Sequence, residues 1–230
     1  NLRLDSKSRA VSTPVVSTPV KKQVFEVSIP EEDLKELERF GRILNKNSYL
    51  TSPAICREKE VKNLMVTLAQ SKKCPLIVGE SGVGKTTIVE ELVHRIINGD
   101  VPKFLQGKVI LEVNPCDVVA GCQYVGMFED NMTKLMSLCE KYGIILFIDE
   151  IHEVFGVGSS KGKDGDMASM LKHNIDRQLV KVIGTTTDKE YDKYFSSDAF
   201  KRRFEKVTVK EAEDEDLFQI LDKVLNDYVI

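Results

Sequence analysis

The chain has 230 residues, 42% of them hydrophobic, and a net charge of −3 from 33 basic and 36 acidic side chains. That length supports one domain with an appendage or two small ones, and the near-neutral balance excludes a polyanion binder that works through bulk charge. No run approaches the roughly 18 apolar residues of a membrane span, and the N-terminus lacks a charged-then-apolar leader pattern, so the sequence reads as cytoplasmic.

Residues 1–30 carry Ser-Thr-Pro-Val at 12–15 and again at 17–20, among Lys7, Arg9, Lys21 and Lys22, with neither a helical nor an alternating period. This composition reads as a disordered linker ahead of a body over 31–230. The start at Asn1 points to a piece of a longer polypeptide or a processed chain. Glu31-Glu32-Asp33 open a helix with Leu34, Leu37, Phe40 and Leu44 on one face, weakened near its end by Gly41. After an extended polar stretch from Ser48 to Pro53, Ala54 to Glu58 lead into a helix carrying Val61, Leu64, Met65, Leu68 and Ala69.

Pro75-Leu76-Ile77-Val78 is a short strand that runs into Gly79-Glu80-Ser81-Gly82-Val83-Gly84-Lys85-Thr86-Thr87, which fits G-x-x-x-x-G-K-[ST]. A helix follows from Lys85 to about Asn98, with Ile88, Val89, Leu92, Val93, Ile96 and Ile97 at helical spacing and Asn98-Gly99 as its stop. Val109 to Val113 is a second strand. A glycine-bounded loop from Gly121 to Gly126 carries Tyr124, and a helix through Met127, Phe128, Met132, Leu135, Met136, Leu138 and Cys139 ends at Gly143. Ile144 to Ile148 is an unbroken apolar run, the mark of a central parallel strand, and it ends in Asp149-Glu150. A glycine- and lysine-rich loop spans Gly156 to Gly165, followed by a helix from Asp166 to Gln178.

Val180 to Gly184 is a strand running into Thr185-Thr186-Thr187, Phe204 to Val209 is a fifth strand, and Asp214 to Ile230 is an amphipathic helix with Leu217, Ile220, Leu221, Val224 and Leu225 on one face. Strands alternating with helices predict a three-layer αβα P-loop fold around a five-stranded parallel sheet. The five cysteines, Cys56, Cys74, Cys116, Cys122 and Cys139, are odd in number and show no C-x-x-C spacing, so they read as reduced thiols, several of them buried.

The order strand, glycine loop, helix is what a phosphate site needs. Glycines let Glu80 to Val83 turn their backbone N–H groups onto an anion, the helix N-terminus adds about half a positive charge, and Lys85 reaches the outer phosphates. Thr86 would place its hydroxyl on Mg²⁺, opposite Asp149. Glu150 has no metal to ligate in that arrangement and is placed to polarise a water that attacks the γ-phosphate of ATP. Thr186 and Thr187 close the fourth strand, where a hydroxyl can sense that phosphate. Arg202 and Arg203 are the candidate donors to the charge of a transferring phosphoryl group, supplied in trans.

At these residues the chain resembles the Clp family of AAA+ unfoldases and disaggregases (ClpA, ClpB and ClpC), in the large subdomain of their first nucleotide-binding module. The likeness runs from about Phe40 to Ile230 through Phe40-Gly41-Arg42, Arg57-Glu58-Lys59-Glu60, the P-loop with Ile88-Val89-Glu90, Asn98-Gly99-Asp100-Val101-Pro102, Val119-Ala120-Gly121, Leu146 to His152, Ile183 to Thr187, Glu190-Tyr191 and Arg202-Arg203-Phe204. The resemblance implies a hexameric ring with ATP between subunits, Arg202 and Arg203 as arginine fingers and Thr187 as the sensor. It also implies Ala54-Ile55 as the segment framing adenine, beside the P-loop residues through Thr87, and Tyr124 as the pore-loop aromatic that grips an unfolded polypeptide.

Gln123 and Val125 stand where the family carries basic residues, Asp130-Asn131 where it has Glu-Arg, and Cys56 where it has glycine. The chain ends where the small helical lid subdomain would begin. A peptidase or adaptor partner is left open. Two other readings compete with a protein unfoldase: an AAA+ ATPase that remodels or loads a nucleic-acid complex, kept alive by Lys161 and Lys163, and a nucleotide-binding regulator without turnover. The absence of basic bulk charge counts against the first, and the intact Lys85, Asp149 and Glu150 count against the second.

Overall fold

The computed structural model describes residues 29–47, 52–120, 122, 125–158 and 166–228. The linker reading of 1–30 therefore falls almost wholly outside the described residues, as do Tyr124 and most of the loop before Asp166. Helix α1 (Glu31–Phe40) leads into a short strand β1 (Gly41–Ile43), and α2 (Glu58–Ala69) delivers the chain to β2 (Cys74–Val78). Helix α3 (Lys85–Asn98), β3 (Ile110–Val113), α4 (Pro115–Val119), α5 (Val125–Tyr142) and β4 (Ile145–Ile148) follow. The remainder is α6 (Met167–Asp176), β5 (Lys181–Thr186), α7 (Asp188–Glu190), α8 (Asp198–Lys201), β6 (Phe204–Thr208) and α9 (Asp214–Tyr228).

One six-stranded sheet has the order β1-β3-β4-β5-β2-β6. The five predicted strands are all parallel, and β1 adds an antiparallel edge on β3. The sheet thus has one strand more than the periodicity predicts, because three residues are too few to carry a period. Gly41 starts that strand rather than merely weakening α1, since a Cβ on it would sit 1.9 Å from the Glu112 carbonyl oxygen. Leu44 accordingly lies on a 3₁₀ turn beyond the helix, on the opposite side of the sheet from Leu37 and Phe40.

Alternating strand residues feed two cores. Leu76, Val78, Leu146, Ile148 and Val182 face Leu37, Phe40 and residues of α5 and α6. Ile77, Ile145, Phe147 and Ile183 face α2 and α3. The residues of β2 and β4, and all but the first of β5, are buried on both faces, which is why their runs are unbroken rather than alternating. All five cysteines are free, and burial pushes the Cys139 thiol up to about 12. The predicted apolar face of α9 is not absorbed into either core: Leu217, Leu221 and Leu225 stay about half exposed or more, beside Phe218 at 75%.

Candidate nucleotide site

The P-loop leaves the C-terminal end of β2, between β5 and β6, where ligands bind in open parallel sheets. Gly79 donates its N–H to the Thr186 carbonyl at 3.3 Å, which fixes the loop's start against β5. Gly82 and Gly84 have φ of +85° and +90°, a backbone that side chains resist, and Gly84 caps α3. The cradle is therefore built by glycine at the two positions where its freedom is required.

Lys85 is 7% exposed, and its ammonium donates to the carbonyls of Gly79 at 3.0 Å and Glu80 at 2.9 Å. Those bonds use two of its three donors and hold the charge over the loop. Thr86 donates from Oγ1 to Asp149 Oδ2 at 3.1 Å, so residues 63 apart in sequence meet at the ends of α3 and β4. A hydroxyl and a carboxylate are the hard oxygen donors that suit Mg²⁺, so Thr86 and Asp149 would hold the ion, which would supply positive charge to offset that of the phosphates.

A cavity of about 620 Å³ opens beside the loop, within the usual size of a small-molecule site. Pro53, Ala54 and Ile55 form one wall, Ser81, Gly82, Val83, Gly84 and Thr87 the floor, and Leu217 and Ile220 of α9 the other wall. Ser52 anchors the first wall, donating to the buried Glu91 at 2.5 Å, and Arg57 donates to the Val83 carbonyl at 3.2 Å. The shape fits a nucleotide whose base lies between Ala54-Ile55 and α9 while its phosphates meet the loop. Cys56, beside this wall, has φ of +56°, and burial followed by Asp216 pushes its thiol up. A second cavity of about 560 Å³ lies between α5 and α6, away from these groups.

Glu150 follows Asp149 with φ of +49° and ψ of +53°, a left-handed conformation unusual for a side chain of this kind. Its carboxylate lies 3.3 Å from His152 Nδ1, which in turn contacts Thr186 Oγ1 at 3.1 Å. Thr185, fully buried, accepts the Glu150 N–H at 2.9 Å and donates to Asp149. From sequence alone Thr185 has no role of its own, and His152, with no partner identifiable, is assigned none. Register decides which threonine meets the acids, since Ile148 pairs with Gly184 and the next residues on each strand are Asp149 and Thr185.

Thr187 stands one residue beyond the end of β5, and its side chain caps α7 by accepting the Glu190 N–H at 3.3 Å. Arg202 and Arg203 are not brought to the P-loop of their own chain. They precede the N-terminal end of β6, where Cys74 at the start of β2 donates to the Arg203 carbonyl at 2.8 Å. One strand length, about 16 Å for five residues, separates them from the loop. Arg203 pairs with Asp176 on α6 and donates to the Ala199 carbonyl, leaving it 15% exposed. Phe155, five residues after Glu150, packs on Tyr194, Phe195 and Phe200, which ties the turn beyond Glu150 to α8.

Residues 75–211 match the family model of AAA, the ATPase family associated with various cellular activities. The chain is 41% identical over 207 residues to the chaperone protein ClpB of Aquifex aeolicus (strain VF5), covering 88% of this chain and 20% of that protein. It is 38% identical over 202 residues to ClpB of Wolinella succinogenes, covering 86% of this chain and 24% of that protein. Among solved structures, the S. cerevisiae Hsp104-ADP complex matches with a TM-score of 0.73 at 36% identity, over 84% of this chain and 33% of that one. The S. cerevisiae Hsp104:casein complex in its extended conformation matches with a TM-score of 0.74 at 36% identity, over 84% of this chain and 34% of that one. The chain thus spans between a fifth and a quarter of the length of these curated relatives. A parallel sheet in this order, a glycine cradle with its lysine, and a threonine on a strand-end aspartate agree with the family match, and the chain belongs to the AAA family of ATPases.

Proposed function

We propose that this chain is the ATP-hydrolysing module of a Clp-type hexameric chaperone, one that unfolds or remodels proteins by threading them through a central pore. The observation that carries the reading is the meeting of Thr86 with Asp149 at 3.1 Å, with Glu150 next in sequence, beside a cavity of nucleotide size. Lys85 and the P-loop amides bind the phosphates, Thr86 and Asp149 hold Mg²⁺, and Glu150 takes a proton from the attacking water. Thr187 senses the γ-phosphate. Arg202 and Arg203 serve the neighbouring subunit, because a strand length separates them from their own loop. Ala54 and Ile55 frame the base.

Residues 31–230 then form the large ATPase subdomain, 1–30 its linker, and Tyr124 the aromatic that contacts polypeptide clients in the cytoplasm. Similarity to ClpB chaperones and to Hsp104 solved with casein supports the choice of an unfolded polypeptide as client. Among the described residues no helix is long and apolar enough to cross a membrane.

ATP turnover per subunit against protein concentration, with and without casein, tests the reading. Turnover is expected to climb with assembly, because an arginine in trans makes each site depend on its neighbour. Glu150→Gln should abolish turnover while nucleotide still binds, and Tyr124→Ala should remove the response to casein. Concentration-independent turnover with a silent Tyr124→Ala would sink the threading mechanism.

A further inference from the structure

The two acids at the end of β4 do not hold themselves in place. Thr185 on the neighbouring β5 is fully buried, and its single hydroxyl makes two bonds in opposite senses. It accepts the Glu150 N–H at 2.9 Å, so its own proton is directed to Asp149 Oδ1. The other carboxylate oxygen of Asp149 receives the Thr86 hydroxyl at 3.1 Å. Asp149 is therefore gripped from two elements, one oxygen by each. Glu150 N–H, in a left-handed turn that a glutamate keeps only when its surroundings hold it, has its acceptor in the same hydroxyl.

We infer that Thr185 is a positioning residue for the hydrolytic centre: one hydroxyl sets the plane of the Asp149 carboxylate and locks the backbone that aims Glu150. The inference rests on the ATPase reading of Asp149 and Glu150 and adds to it a residue outside the nucleotide-contacting set. Neither Ala nor Val can replace the hydroxyl. Either leaves the part-buried Glu150 N–H without this acceptor and frees one oxygen of Asp149 to rotate. Serine retains both bonds. Partners that orient metal-shell groups typically alter metal affinity or activity by about 10- to 100-fold when removed.

The test compares Thr185→Val with Thr185→Ser in the natural polypeptide that carries this chain, using three readouts. Hydrogen exchange at the Glu150 amide reports the lock directly and needs no nucleotide. The Mg²⁺ concentration that half-saturates tight binding of a fluorescent ADP derivative reports Asp149, and ATP turnover reports Glu150. Thr185→Val should exchange the Glu150 amide at least tenfold faster and need about tenfold more Mg²⁺, with nucleotide affinity in EDTA unchanged. Its turnover should fall by a similar factor without a matching rise in KM. Thr185→Ser should restore all three.

Wild-type exchange at Glu150 with wild-type Mg²⁺ dependence in Thr185→Val overturns the inference, and so does a Ser variant as impaired as Val. Should the valine variant not fold, Thr185→Ala carries the same comparison. A wild-type protein without turnover would remove the ATPase reading instead, and the exchange measurement would still decide whether Thr185 locks the turn.

Discussion

Cys56 sits where a left-handed backbone is imposed by the wall of the nucleotide cavity, at φ of +56°. Such a conformation costs a side-chain-bearing residue about 1–2 kcal/mol, against which a glycine gives back roughly 0.4–1 kcal/mol through its freer unfolded chain. Its thiol donates to Gln219 on α9 at 3.4 Å, a weak bond that offsets little of this. Cys56→Gly is therefore expected to stabilise the fold by about 0.5–1 kcal/mol, read as a rise in urea midpoint at constant slope. A lower midpoint would mean that the thiol's packing on α9 outweighs the backbone relief. The same physics explains why glycine is usual there in the family the sequence resembles. Glu150 is the contrasting case, since its left-handed turn is held by the Thr185 hydroxyl and carries the carboxylate proposed to act on the attacking water.

At the scale of elements, β1 shows how close approach fixes a residue. Gly41 pairs with Val113, and the space for a Cβ is filled by the Glu112 carbonyl at 1.9 Å, backbone that has no rotamer to retreat into. Gly41→Ala should push β1 off the sheet edge and cost about 1–3 kcal/mol, with hydrogen exchange rising first at the β1–β3 bonds. An alanine variant with wild-type stability and exchange would show that the edge relaxes freely. The long periodic segments were legible in the sequence: α3 has its predicted limits, and the five parallel strands lie within a residue or two of theirs.

What lay beyond it were features set by neighbours rather than by period. Strand β1 is too short to alternate, α4 spans five residues behind an Asn114 cap, and the meeting of Thr185 with Asp149 depends on register between strands. The P-loop, Asp149 and Glu150 were readable because their spacing is local and their chemistry needs those residue types. Ser52, Arg57 and Thr185 were not, because each acts on a partner 26 to 39 residues away through the folded chain.

At the scale of the whole molecule, the P-loop and the arginine pair lie at opposite ends of β2 and β6, so under the proposed function a single chain does not complete its own site. The Arg203 side chain, bound to Asp176 and the Ala199 carbonyl, is only 15% exposed, and Arg202 at the end of α8 is exposed. The expected division is that Arg202 carries most of the trans contribution, and that Arg203→Ala also loosens the contact of α6 with α8. Mixing experiments can separate trans from cis supply. Arg202→Ala lacks the donor but keeps Lys85, Asp149 and Glu150; Glu150→Gln keeps the donor but lacks the base. Each variant alone should be inactive.

In a randomly mixed closed ring at equal amounts, a site is complete only where an Arg202→Ala subunit receives the arginine of a Glu150→Gln neighbour. That arrangement occurs at about a quarter of all sites, so the mixture should recover about a quarter of the wild-type rate. The recovery must appear only after subunit exchange, because rings assembled separately and mixed without exchange contain no complementary pairs. A mixture that stays inactive after exchange would place the arginine's action within its own chain. Recovery near a quarter would make the opposite ends of this sheet the two halves of one active site.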